Sequence, residues 1–157
     1  MTWRTMQYKT IDTCRACGSR DLRPLLDLGV QPLPEYVGDI DYSLSAPLVM
    51  MWCGACLVAQ LAHTVDRDIL YRHYYYRSSL NLRMVQELHS IASEMTQRAD
   101  LHAGDIALDI GANDGTYLEH YPKGIERLAF EPSRNLLDEL EAKGIRTLPG
   151  FFHGPSV

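Results

Sequence analysis

The sequence predicts an α/β protein in three parts: a small β-rich zinc-binding module, a helical linker, and the first half of a parallel sheet of the nucleotide-binding type. Three observations carry this reading. All four cysteines of the chain fall in two Cys-x-x-Cys pairs, Cys14/Cys17 and Cys53/Cys56. An apolar strand at 106–110 runs through Asp109 into the glycine-rich turn Gly111-Ala112-Asn113-Asp114-Gly115-Thr116, and a helical pattern follows. A second apolar strand, 125–130, ends on Glu131, as the second strand of a nucleotide-type βαβ unit does.

Residues 1–63 read as the metal module. Two thiolates three positions apart across a tight turn bind one ion, and two such pairs make a closed tetrahedral zinc site. Gly18 and Gly54 suit knuckle turns with unusual backbone angles. Two disulfides or a redox pair are the rival readings. Disulfides do not suit a reducing compartment, and a redox pair needs no twin. With four thiolates bound, the metal has no open position, so its role is structural. Residues 24–29 form a strand ending at Gly29, and Gln31-Pro32-Leu33-Pro34 is extended, because each proline excludes the residue before it from the helical region. Strands at 47–52 and 57–61 make a hairpin whose turn is the second cysteine pair. So small a module depends on its metal for much of its folding free energy.

Residues 64–100 form the linker. Asp66 or Asp68 caps a short helix through Tyr71. The run His73-Tyr74-Tyr75-Tyr76-Arg77-Ser78-Ser79 reads either as a packed linker or as the lining of a ligand cleft between domains. From Asn81 to Arg98, Met84, Val85, Leu88, Ile91, Ala92, Met95 and Ala99 recur at helical spacing. The helix is amphipathic, with Met84 and Met95 as core filler and His89 solvated on the polar face.

Residues 101–157 form the sheet part: strand 106–110, helix 114–121, strand 125–130, helix 133–143, strand 145–148. Ser133 is placed to cap the second helix, and Gly144 to end it. The β-α-β-α-β order makes the strands parallel. Three strands with two crossovers leave an apolar edge, which predicts self-association, a second chain that completes the sheet, or a truncated chain.

Composition narrows the functions. A net charge of −5 and the lack of a basic run argue against a nucleic-acid surface. No apolar stretch reaches the roughly 20 residues of a membrane helix, and Met1-Thr2-Trp3-Arg4 lacks the apolar core of a signal peptide. The default location is the cytoplasm. The turn itself separates two cofactors. A dinucleotide asks for G-x-G-x-x-G, but the second and third glycine positions hold Asn113 and Thr116. S-adenosylmethionine (SAM) has no pyrophosphate. It asks for a close turn at its methionine part and an acid for its ribose, here Glu131.

In this order, the paired Cys-x-x-Cys knuckles, the Tyr-rich segment with Ser78-Ser79 and the Asp-Ile-Gly-Ala-Asn-Asp-Gly-Thr turn resemble the zinc-containing SAM-dependent C-methyltransferases of nucleotide-linked deoxysugars. The resemblance covers nearly the whole chain. It implies a zinc module before a Rossmann-like SAM domain, of which this chain is an N-terminal portion. It implies methyl transfer to a carbon beside a ketone of a nucleotide-linked keto-deoxysugar: a base removes the α proton, and the enolate attacks the methyl group. By position, Cys14, Cys17, Cys53 and Cys56 hold the zinc. Asp109, Gly111 and Asn113 cradle the methionine end of SAM, and Glu131 holds the ribose. Tyr76, with Ser78, lies near the transferred methyl or the sugar. The family's histidine base belongs to a later part of its chain, and His153 is in the wrong element to replace it. Two other functions stay open: a non-catalytic zinc-binding or assembly module that docks to another chain, and a SAM methyltransferase with a non-sugar substrate.

Overall fold

A computed structural model describes residues 8–33 and 45–153. Met1 to Arg4, Pro34 and the terminal 154–157 lie outside the described residues. The chain divides into two compact units, Met1–Leu70 and Tyr71–Val157, and each is described by itself. In the second unit the sheet, with its helices, is half of a Rossmann-like arrangement.

The first unit is built from short antiparallel strands. β1 (Tyr8–Thr10) pairs with β5 (His63–Val65), while β2 (Leu22–Pro32), β3 (Ser45–Cys53) and β4 (Ala59–Leu61) form a second sheet in that order. β2 carries Pro24 and Pro32 and lies at the sheet edge, where the missing N–H groups cost no ladder bond. The strand does not stop at Gly29. Asp27 pairs with Val49 and Val30 with Pro47, so β2 holds one extra residue here. Gly29 takes it up with φ +69°, and the Asp27 carboxylate accepts its N–H at 2.8 Å. This is a β-bulge, and the strand continues through it. β3 and β4 form the expected hairpin around the second cysteine pair. α1 (Arg67–Tyr71) starts beside Asp66, whose Oδ1 accepts the Asp68 N–H at 2.9 Å; Asp66 is therefore the cap.

The second unit holds α2 (Leu82–Arg98), β6 (Ile106–Ile110), α3 (Thr116–Glu119), β7 (Glu126–Glu131), a 3₁₀ turn (Arg134–Leu136), α4 (Leu137–Ala142) and β8 (Arg146–Pro149). The three strands are parallel, in the order β6-β7-β8. The core lies on one face. Ala107 and Ala129 leave room there for Leu118, Leu140 and Ile145, with Ala112 and Ile125 completing the cluster. On the other face of β6, Ile106, Leu108 and Ile110 are exposed.

Several expectations are corrected. α3 is a single turn rather than a helix over 114–121. Gly115 before it is left-handed, with φ +78°, and the last N–H groups, of His120 and Tyr121, fold back three residues to Tyr117 and Leu118, the tighter 3₁₀ pattern. The Ser133 side chain does not cap a helix; its hydroxyl donates to the Tyr71 carbonyl at 2.8 Å. In α2 only Ala92 is buried, and Met84 and Met95 are 38 % and 44 % exposed. The two methionines are therefore not core filler in this unit. The cap of α2 is Asn81, whose side chain accepts from Arg83 and Met84 N–H.

Candidate functional site

Two sites come out of these elements, one in each unit. In the first unit, the knuckles at Cys14–Gly18 and Cys53–Leu57 are built alike. The N–H of the fifth residue returns to the carbonyl of the first cysteine, Gly18 to Cys14 at 2.9 Å and Leu57 to Cys53 at 2.8 Å. That fifth residue is left-handed in both, with φ +74° at Gly18 and +64° at Leu57. The special angle of the second knuckle thus falls on Leu57, not on Gly54 as expected. Gly54 serves differently: a Cβ there would run into the Asp21 carboxylate. The four Sγ atoms lie within 4.8 Å of one another, with Cys14–Cys56 at 3.6 Å and Cys17–Cys53 at 3.7 Å. A tetrahedron of sulfurs around zinc at about 2.3 Å has edges of about 3.8 Å, which the two close pairs already match, so four thiols of this spacing suit the ion. Backbone N–H groups of each knuckle already favour thiolate at its first cysteine. The amide of Cys17, above all, draws Cys14 down to about 6, and the amide of Cys56 lowers Cys53. Cys14 and Cys53 are buried, Cys17 and Cys56 exposed.

Three residues the sequence did not single out, Arg15, Gln60 and Thr64, tie the first knuckle to β4 and β5. The Arg15 N–H donates to Gln60 Oε1 at 2.8 Å, and the Arg15 guanidinium reaches Thr64 Oγ1 at 2.9 Å. A surface arginine inside a knuckle carries no pattern that would mark it.

In the second unit, the turn after β6 wraps over the end of β7. Gly111, with φ +83°, donates its N–H to the Phe130 carbonyl at 2.8 Å. A Cβ on Gly111 would meet nothing within 4 Å, so the turn is open on that side. Asn113 is also left-handed, with φ +53°, and its N–H donates to Glu131 Oε2 at 2.7 Å. The other oxygen of Glu131 accepts the Ser133 N–H at 2.7 Å. Glu131 is only 3 % exposed, held by two charge-assisted bonds. Asp109 is half-buried on β6. Burial, and then the Glu131 charge, push its carboxyl above the ordinary carboxylate range.

A strap, residues 71–79, is tied to both turns at the C-terminal ends of the strands. The Ser133 hydroxyl and Arg134 N–H donate to the carbonyls of Tyr71 and Arg72. Tyr74 and Asn135 exchange two bonds, at 3.2 and 2.9 Å. Arg77 pairs with Glu139 at 2.6 Å. Asn113 donates through Nδ2 to the Tyr76 carbonyl and accepts the Ser78 N–H on Oδ1, both at 3.0 Å. Asp114 accepts the Ser79 N–H at 3.0 Å. Four of the expected residues, Tyr76, Ser78, Asn113 and Glu131, thus form one hydrogen-bonded chain. Gly111 lies in the same turn, and Asp109 approaches through the Glu131 charge. Asp114, 1 % exposed, was missed. In sequence it is one more acid in a turn, and only its partners reveal its role. His153 is exposed beyond β8.

Comparison with known proteins agrees with the cysteine site. Residues 14–71 match a methyltransferase family model, Methyltransf_13, described as "Putative zinc binding domain". The chain is also 30 % identical, over 149 residues, to the C-methyltransferase NovU of Streptomyces niveus. These two matches make the chain similar to a C-methyltransferase and to a zinc-binding family model. The match covers 92 % of this chain and 36 % of NovU, so the chain spans about a third of the length of the relative it matches. The residues matched by the zinc-binding model include all four cysteines, whose thiols gather at one point. No described helix is long and apolar enough to cross a membrane.

Proposed function

We propose that this chain serves SAM-dependent C-methylation of a nucleotide-linked keto-deoxysugar, with a structural zinc in the first unit and the cofactor on the turn after β6. One observation carries the reading: in a chain related to a C-methyltransferase, an acid at the tip of β7 is bonded to a glycine turn at the tip of β6 that is open at Gly111. Adjacent tips of parallel strands are where such sheets bind nucleotides.

SAM, when bound, supplies the methyl group. The remaining roles belong to the chain. Each Glu131 oxygen already takes one backbone N–H, and its second lone pair suits a ribose hydroxyl. Asp109, Gly111 and Asn113 line the methionine end. Asn113 holds Tyr76 and Ser78 beside it, on the side of the transferred methyl. Zinc in a closed four-thiolate site takes no part in the chemistry.

Calorimetric titration of the zinc-loaded chain with SAM tests this. Saturable binding at one site per chain is the expected result. A flat titration of folded, zinc-containing protein removes the cofactor assignment. A bound complex that then ignores every nucleotide-linked keto sugar offered, and accepts a methyl on another substrate, removes the sugar.

A further inference from the structure

We infer that Asn113 and Asp114 are positioning residues: their adjacent side chains clamp the backbone of the Tyr76–Ser79 strap to the turn, so that occupancy of the turn and the placement of Tyr76 are coupled. The inference rests on the cofactor reading given above.

The geometry is specific. Asn113 uses both ends of its amide on the strap, Nδ2 to the Tyr76 carbonyl and Oδ1 from the Ser78 N–H, each at 3.0 Å. Asp114 divides its carboxylate. Oδ1 accepts the N–H and hydroxyl of Thr116 at 3.2 and 2.6 Å, while Oδ2 accepts the Ser79 N–H at 3.0 Å. Three of the four strap residues from Tyr76 to Ser79 (Tyr76, Ser78 and Ser79) are thereby held by two side chains. Arg77 itself is held by Glu139.

The backbone of the same Asn113 faces the other way. Its N–H ends on Glu131 Oε2, the acid assigned to the ribose. One residue therefore touches the cofactor acid through its main chain and the strap through its side chain. Its left-handed φ of +53° is what turns the two groups in different directions. Asparagine tolerates that region better than most residues with a side chain, and its amide alone offers both a donor and an acceptor. A ligand that settles the Asn113 main chain must settle its side chain too, and with it the Tyr76 carbonyl. Tyr76, 36 % exposed, is thus presented to solvent from a fixed point.

Amide hydrogen exchange at Ser78 and Ser79 is the test, measured with and without S-adenosylhomocysteine on zinc-loaded chain. Asn113→Gly keeps the left-handed angle and deletes the amide; Ser78 exchange is expected to rise about tenfold, the scale of one or two lost hydrogen bonds. Asn113→Asp keeps the acceptor and removes the donor, so Ser78 protection returns while the Tyr76 carbonyl stays unheld. Asp114→Ala removes both carboxylate oxygens and with them the acceptor of the Ser79 N–H, and it raises Ser79 exchange by a similar factor. Zinc content and melting of each variant confirm that it is folded.

In wild type, S-adenosylhomocysteine slows exchange at both serines; in Asn113→Gly it does not slow Ser78. Unchanged exchange in folded Asn113→Gly and Asp114→Ala overturns the clamp. A ligand that binds wild type yet leaves both serines as they were overturns the coupling. If wild type shows no binding, the cofactor reading fails, and the clamp is still decided by the ligand-free exchange rates.

Discussion

The Glu131 carboxylate accepts the backbone N–H of Asn113 at 2.7 Å across 18 positions of sequence. Its second oxygen holds Ser133 at the same distance. The residue assigned to a ligand is therefore also the pin that fastens the turn after β6 to the end of β7. Glu131→Ala leaves two N–H groups without their acceptor and is expected to lower stability by roughly 3–6 kcal/mol, since a charged hydrogen bond contributes about 1.5–3 kcal/mol. Glu131→Gln, which still accepts at one oxygen, loses about half of that. Urea unfolding followed at Tyr117 and Tyr121, both in the second unit, measures it. An alanine variant as stable as wild type would falsify the pin.

Asp109 and Asp114 titrate in opposite directions. At Asp114 burial pushes the carboxyl up, but hydrogen bonds from Ser79 and Thr116 outweigh it and leave it below the ordinary value. Its contribution is fully present above an unfolded pKa of about 3.9 and is lost as the pH falls through the lower folded value. Asp109, raised by burial and by Glu131, binds its proton more tightly folded than unfolded. Its ionisation therefore lowers stability at neutral pH, and the penalty fades as the pH falls from the folded value towards about 3.9. Asp109→Asn is expected to be more stable than wild type at neutral pH, with the gap narrowing in acid. Asp114→Asn is expected to be less stable at neutral pH. Denaturation curves at several pH values decide; an Asp109→Asn variant that is destabilised at neutral pH contradicts the sign.

Gly115 and Gly111 separate packing from backbone strain. Both have positive φ, +78° and +83°. A Cβ at Gly115 meets Ile145 Cδ1 at 2.6 Å and Leu140 Cδ2 at 2.8 Å, whereas a Cβ at Gly111 meets nothing. Gly115→Ala is expected to cost about 2–5 kcal/mol, strain plus overpacking. Gly111→Ala should cost only the strain, about 1–2 kcal/mol. Equal losses in thermal unfolding would mean that Leu140 and Ile145 yield freely. Gly111→Ala should nonetheless weaken SAM binding, because the turn is then closed on its open side.

The thiol quartet predicts about one zinc per chain, the stoichiometry of a closed four-cysteine site. Cys53 is fully buried, and Cys53→Ser is expected to abolish metal retention and the order of the first unit together, since structural zinc and folding are linked. Elemental analysis of chain purified without chelator, paired with circular dichroism before and after metal removal, tests both halves. Metal-free chain that keeps its fold would leave the quartet without a structural role.

What the sequence determined by itself is local or chemical. Cys-x-x-Cys twice over specifies four thiols whatever the fold, and they do converge within 4.8 Å. Apolar runs bounded by glycine and acid specify three short strands, and a turn too rich in glycine to be helical specifies their junction. The family resemblance followed from the order of these pieces. The tertiary structure decided everything that depends on which side chain meets which distant backbone. It put the left-handed angle of the second knuckle on Leu57, freed the Ser133 hydroxyl for Tyr71, left Met84 and Met95 exposed, and gave Asp114 its partners. The contacts that bind the strap join residues 35 to 62 positions apart, and a single side chain bonded to a remote amide leaves no period in the sequence. Periodicity reports which face of an element is apolar; it takes the folded chain to bring Asn113 between Glu131 and Tyr76.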